Sequence, residues 1–277
     1  MTDTGWYSGL DAEDVGAGAE AIRSGRADTP AGWPARAVDA GFAPDAETYY
    51  DRLNAAAIRA AREAVAEREG APDQQLIHAV RAMDDSAQTA NELAERLAEW
   101  AGAYYGEAGA GIDYARDLAA RDPETPVESR VVALANRVVA LADERDELRS
   151  FVQRDAPEVA PNLSALAGPV LAARLIALAG GLQDLARKPS GTLQVLGAED
   201  ALFAHLRGQA PSPKHGVIYT HEYVRGTRPE QRGSAARAVA GKLTLAARVD
   251  HYSGERKPEL DEAIEARIER IRGEGDG

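Results

Sequence analysis

Cysteine is absent from the 277 residues, which excludes disulfides, thiolate metal ligands and a cysteine nucleophile, and permits a reducing interior. Aromatic residues make up only 5% of the chain while alanine is abundant, a mixture that suits narrow helix-to-helix contacts better than a thick sheet-based core. There is no run of about 18 uncharged apolar residues of the kind a membrane-spanning helix needs. Met1 to Leu10 carry acids and polar residues where a secretory leader has its apolar centre. These absences predict a mainly helical, soluble protein of the cytoplasm.

Catalytic constellations are missing as well. The histidines His78, His205, His215, His221 and His251 never form a zinc-binding pair, and His221-Glu222 lacks the second histidine of a metalloprotease helix. No lysine follows a phosphate-cradling glycine loop, and no Gly-x-Ser-x-Gly elbow occurs. Ala179-Gly180-Gly181-Leu182 lacks the strand and spacing of a dinucleotide fingerprint and reads instead as a tight helix-to-helix approach. The expectation is a chain with no catalytic residue, no metal and no cofactor of its own.

What is present is acidity, unevenly spread. The net charge is -13, which taken alone argues against a nucleic-acid partner. Residues 162–257, however, hold 13 basic against 7 acidic side chains, so this third of the chain is a basic island of +6 and the rest carries -19. Heavy acidity with few lysines points to adaptation to high salt, where a strongly charged surface keeps protein in solution.

The chain reads as four segments. Residues 1–70 are rich in Gly, Ala, Asp and Pro, with a turn-like Thr29-Pro30-Ala31-Gly32-Trp33-Pro34 that no helix would accommodate. A helix is predicted over 46–68 from Tyr50, Leu53, Ala57 and Ala61, and Gly70 and Pro72 end it. From Asp73 a heptad seam runs through Leu76, Val80, Met83, Ala87, Ala90, Ala94, Leu97 and Ala101. After a break near Gly106 to Gly111, a second run opens at Pro126 and continues through Val127, Val131, Leu134, Val138, Leu141, Arg145, Leu148 and Val152. The two runs, 71–156, form a long antiparallel coiled-coil hairpin. Either two such hairpins pair into a homodimer, or the two helices bury their seams on each other within one chain. Beyond Pro157 and Pro161 shorter helices are expected over 163–178, 198–206, 232–249 and 256–272, in a compact domain spanning 157–272, and 273–277 form a disordered tail. Lys214 and His215 sit on a Pro-Ser-Pro loop suited to phosphate contact and base stacking. Arg237 and Arg248, eleven residues apart on one predicted helix, can point the same way.

Several ordered blocks resemble one family. Asn162-Leu163-Ser164-Ala165-Leu166-Ala167-Gly168-Pro169, Leu178-Ala179-Gly180-Gly181-Leu182 and Leu193-Gln194-Val195-Leu196-Gly197-Ala198-Glu199-Asp200-Ala201-Leu202-Phe203 are similar to the Nop domain of the archaeal and eukaryotic Nop family. Lys214-His215-Gly216, Ala235-Ala236-Arg237 and Ala246-Ala247-Arg248-Val249-Asp250 continue the likeness, and 73–105, ending near Arg96-Leu97-Ala98-Glu99-Trp100, resembles the family's first coiled-coil helix. The resemblance implies a non-catalytic scaffold of the box C/D guide ribonucleoprotein, the particle that directs 2′-O-methylation of ribosomal RNA and archaeal transfer RNA. Its implied partners are guide RNA with a bound kink-turn ribosomal-type protein, fibrillarin, which carries S-adenosylmethionine, and a second copy of the chain. The composite RNA-protein surface would fall on Gly197, Ala198, Glu199, Lys214, His215, Arg237 and Arg248. Dimerisation would use Leu76, Val80, Met83, Leu97, Val131, Leu134, Val138, Leu141 and Leu148. The family's Gly-Ala-Glu-Lys block ends here in Asp200, and the N-terminal segment, helical or mixed α/β, is shorter than the family's fibrillarin-binding domain. A spliceosomal-type particle, or a coiled-coil protein without RNA, are the alternatives.

Overall fold

A computed structural model describes residues 5–25 and 31–273. It divides into two compact units, Met1–Ala71 and Pro72–Gly277. The first four residues, Thr29, Pro30 and the end of the expected tail, 274–277, lie outside the described residues.

The first unit holds α1 (Val15–Ser24), α2 (Trp33–Asp39) and α3 (Ala46–Glu69). No strand occurs among its described residues, so the mixed α/β alternative falls. Asp14 and Asp45 cap α1 and α3 by accepting from the Ala17 and Thr48 amides, which satisfies backbone donors that have no partner inside the helix. Pro34 is accommodated because it stands in the first turn of α2, where a missing N–H leaves no hydrogen bond unmade. Trp6, Tyr7, Phe42 and Tyr49 form the small core, with the Trp6 indole donating to the Tyr49 hydroxyl at 3.2 Å. That cluster rotates α3 by one position from the expected face: Tyr49, Ala56 and Ala60 are buried, and Tyr50 is 58% exposed.

The second unit begins with α4 (Pro72–Tyr105) and α6 (Pro126–Val159), each of 34 residues and about 50 Å long. Leu76, Val80 and Met83 share a core with Val152 and Ala156, whereas Ala94, Leu97 and Ala101 meet Val131, Ala135 and Val138. The hairpin is therefore antiparallel. Its turn carries a helix that periodicity did not announce, α5 (Gly111–Ala119), whose Ala115 and Leu118 are buried against both long helices. At the start of α6 the Thr125 hydroxyl accepts from the Glu128 amide at 3.2 Å and the Glu128 carboxylate accepts from the Glu124 amide at 2.7 Å.

The rest of the unit is a helical body: α7 (Pro161–Ala167), α8 (Pro169–Ala179), α9 (Leu182–Arg187), α10 (Ser190–Val195), α11 (Glu199–Leu206), a 3-10 turn (Val217–Thr220), α12 (Glu222–Arg225), α13 (Arg232–Tyr252) and α14 (Glu259–Gly273). The single helix expected over 163–178 is two helices meeting at 117°, because Gly168 takes φ +76° immediately before Pro169. Gly180 and Gly181 likewise serve the backbone, with φ of +95° and +148° between α8 and α9. They mark a turn and not a close helix approach. α6 runs through Pro157 to Val159, and the base of the hairpin belongs to the same hydrophobic core as α7, α8 and α13. Buried Asp250 fastens the junction, accepting from the Asn162 amide at 2.9 Å, the Leu163 amide at 2.8 Å and the Asn162 side chain at 2.7 Å. No single helix among the described residues is long and apolar enough to cross a membrane.

Candidate nucleic-acid interface

Two hydrogen bonds pin the loop after α11 to the end of α10: the Gly216 amide donates to the Gln194 carbonyl at 2.9 Å and the Val217 amide to the Leu196 carbonyl at 2.8 Å. The Gln194 side chain adds a third, donating to the Lys214 carbonyl at 2.7 Å. Only glycine fits at 216, since a Cβ there would overlap the Leu196 carbonyl. The pinned loop delivers Lys214 to a cleft of about 320 Å³ lined also by Gln194, Ser212, Gly233 and Arg237. Both cations are exposed, and no hydrogen bond or ion pair engages Arg237 among the described residues. Two unpaired cations 23 positions apart in sequence thus face one cleft, as binding of an anion requires.

His215 is already occupied on one face. Its ring stacks on Tyr219, with centroids 4.6 Å apart and planes at 25°, and the Arg232 guanidinium lies 5.6 Å from the Tyr219 centroid. Burial lowers the His215 pKa, Arg232 and Lys214 push it the same way, and a backbone hydrogen bond opposes them. The imidazole is neutral at pH 7, so it offers stacking area and hydrogen bonds but no charge.

Gly197 and Glu199 are placed elsewhere. The Gly197 amide donates to the Glu199 carboxylate at 2.8 Å, and Gly197 lines a second cavity, of about 660 Å³, with Leu178, Val217, Tyr219 and the Arg174–Asp84 pair. Ala198 is the N-cap of α11, a helix with no buried residue and with Phe203 and Leu206 exposed at 56% and 71%. Arg248 does not reach the Lys214–Arg237 cleft. Its Nε donates to the Ala186 carbonyl at 3.1 Å, closing the C-terminus of α9 beside Arg187 and Lys188. Neither periodicity nor motif marks those two cations; in the sequence they are a basic pair before the Pro-Ser-Gly turn.

Among the nine expected dimer residues, Leu76, Val80, Met83, Leu97, Val131 and Val138 are buried inside the chain and cannot meet a second copy without opening the hairpin. Leu134, Leu141 and Leu148 are half-buried. Ala135 and Ala142 take the central positions expected for Leu134 and Leu141. Arg145 turns aside to pair with Asp146 at 2.8 Å.

The family model Nop, described as snoRNA binding domain, fibrillarin, matches residues 76–271. An uncharacterized NOP5 family protein of Methanocaldococcus jannaschii is 36% identical over 237 residues, covering 72% of this chain and 57% of that protein. Nucleolar protein 58 of Schizosaccharomyces pombe is 32% identical over 71% of this chain and 46% of its own length. Nucleolar protein 56 of Saccharomyces cerevisiae is 38% identical over 57% of this chain and 31% of its own. The chain therefore spans about half the length, or less, of these curated relatives. A solved structure of a fibrillarin/Nop5p complex shares the fold, with a TM-score of 0.54 and 92% coverage of both chains at 23% identity.

Proposed function

Because the chain belongs to the Nop family, we propose that it is a non-catalytic scaffold of a box C/D guide ribonucleoprotein, which directs 2′-O-methylation of ribosomal RNA and archaeal transfer RNA. The observation that carries this reading is the union of the two: a family match spanning hairpin and body, and a cleft within it that presents unpaired Lys214 and Arg237. Methyl transfer would belong to fibrillarin, which would hold S-adenosylmethionine. This chain supplies position. Guide RNA carrying its kink-turn ribosomal-type protein would dock on the body, with phosphates at Lys214 and Arg237 and with Arg248 held ready by the Ala186 carbonyl. Gly197, Ala198 and Glu199, with the exposed Phe203 and Leu206 beyond them, would face the protein half of that composite surface. Fibrillarin would dock on the first unit, and a second copy would dock along the half-buried Leu134, Leu141 and Leu148 edge of α6. The chain would work in the archaeal cytoplasm.

The test is an electrophoretic shift of a box C/D guide RNA, with and without the kink-turn protein, fibrillarin being added last. The scaffold reading expects this chain to shift the guide RNA weakly by itself and tightly once the kink-turn protein is bound, then a further shift with fibrillarin. Equal affinity with and without the kink-turn protein would refute composite recognition, and no shift in any combination would refute the RNA particle itself.

A further inference from the structure

Helix α13 is two-faced. Its inner face, Ala235, Ala236, Val239, Ala240, Leu243, Thr244, Ala246, Ala247 and Asp250, is buried. Its outer face follows a spacing of four, four, three and four through Arg237, Gly241, Leu245, Arg248 and Tyr252, which keeps these residues on one side at 3.6 residues per turn. Leu245 is 44% exposed and Tyr252 71%. The helix's one acid, Asp250, is buried on the other side and consumed by Asn162 and Leu163. The open face therefore carries cations and apolar surface with no carboxylate of its own helix to oppose a phosphate.

Gly241 is the informative residue. It sits in the middle of a 21-residue helix, where glycine is about 1 kcal/mol less favourable than alanine. Neither of the usual reasons for a glycine applies: its φ is ordinary for a helix, and a Cβ built on it would meet no atom within 4 Å. Packing does not ask for it. A bare patch of helix between two arginines is what a close-approaching backbone needs. Tyr252 supplies the other half. It is the last residue of the helix, braced edge-on by His251 at 4.6 Å and 61° and otherwise open to solvent. A large aromatic exposed at the end of a basic stripe is a platform on which an unpaired base can stack.

We infer that the outer face of α13 is a track for an unpaired RNA strand, with phosphates held at Lys214 and Arg237, the backbone passing over Gly241 to Arg248, and a base stacked on Tyr252. From Arg237 to Tyr252 the face runs about 22 Å, long enough for several nucleotides of an extended strand. Leu245 gives the sugar and base edges an apolar floor midway. The inference rests on the ribonucleoprotein reading above, but it adds a ligand form, unpaired RNA, and three residues that reading does not use, Gly241, Leu245 and Tyr252.

The experiment measures binding of the full chain to a labelled oligouridylate by fluorescence anisotropy, at about 0.1 M salt, where a Debye length of about 10 Å leaves phosphate contacts only partly screened. Tyr252→Ala is expected to weaken binding about tenfold, roughly 1.4 kcal/mol and within the range for one stacked base. Tyr252→Phe, which keeps the ring, stays within about twofold of the parent. Gly241→Gln is expected to raise the melting temperature, because a better helix former replaces glycine, while weakening RNA binding. A merely structural glycine could not produce that opposition. Arg237→Glu with Arg248→Glu separates the two levels of the argument. If the double change abolishes binding while Tyr252→Ala and Gly241→Gln bind like the parent, the track is overturned and the RNA-particle reading stands. If the double change is also without effect, the track falls, and the phosphate contacts assigned to Arg237 and Arg248 fall with it. If Tyr252→Ala alters only the affinity for the kink-turn protein in the absence of RNA, the face is a protein surface and the track is overturned.

Discussion

His221 is the residue whose chemistry follows most directly from its surroundings. It is buried at the N-cap of α12, where its Nδ1 accepts from the Tyr223 amide at 3.1 Å and its Nε2 lies 2.8 Å from the Leu166 carbonyl. That pattern needs the neutral ring protonated on Nε2, because a proton on Nδ1 would face another N–H. Burial lowers its pKa below the usual 6.5, against weaker raising effects from the Leu166 carbonyl and Glu222. Since the unfolded chain takes up the proton first, this contribution to stability is fully present above pH 6.5 and is lost as pH falls from there toward the folded-state value. Thermal unfolding from pH 7 down to about pH 5 should show a falling midpoint, and His221→Gln should flatten that slope. An unchanged slope would mean that His215, lowered for a similar reason, or the carboxylates dominate. The site was partly legible at this scale. Lys214 and Arg237 were readable as cations on a rigid loop and a helix, and the structure puts both on one cleft. The stacking of His215 on Tyr219 and the tie of Arg248 to Ala186 depend on tertiary neighbours that no spacing in the sequence encodes. The bareness of Gly241 is legible only once its surroundings are known to be empty.

At the scale of elements, heptad spacing located both long helices and the buried Val131, Val138 and Val152 of α6, but not the Ala135 and Ala142 that share its buried stripe. The apolar pattern of α6 contains two overlapping stripes, one through Leu134 and Leu141 and one through Ala135 and Ala142. Periodicity alone favours the larger side chains. The structure selects the alanines, which let α4 and α6 approach closely, while Leu134 packs at the flank of the tip cluster that α5 completes. α5 itself is nine residues long with Gly and Ala around it, too short for a periodicity to stand out. Its importance lies in Leu118, which is fully buried at the tip. Leu118→Ala removes a core side chain and leaves a cavity, a loss of about 2–5 kcal/mol. Because the tip cluster is separate from the core shared by hairpin base and body, the loss should be local. Hydrogen exchange should accelerate over 94–101 and 131–138 while amides of α13 keep their protection. Uniform acceleration over both regions would show that hairpin and body unfold as one cooperative unit instead.

For the whole molecule, salt acts on two opposed charge distributions. Outside residues 162–257 the chain carries -19, while the island within that range carries +6 and all four lysines of the sequence. Raising ionic strength screens the repulsion among the acids and should stabilise the fold. It also weakens surface pairs such as Arg116–Asp143 and Arg121–Glu107, but each of these is worth only about 0–1 kcal/mol, and the excess of unpaired acid outweighs them. RNA binding responds in the other direction, because phosphates held by Lys214, Arg237 and Arg248 release counterions. Three contacts to an unpaired strand give a slope of about -2 in log K against log salt. The melting temperature should therefore climb with potassium chloride while affinity for the oligouridylate falls along that slope, so that assembly on RNA is best at an intermediate concentration. Two series on one preparation, melting and anisotropy across the same salt range, decide the matter. A melting temperature that falls with salt would show that the ion pairs hold the acidic surface together. A slope far steeper than -2 would mean that other cations of the island, Arg187 and Lys188 beside Arg248 first among them, also grip the strand.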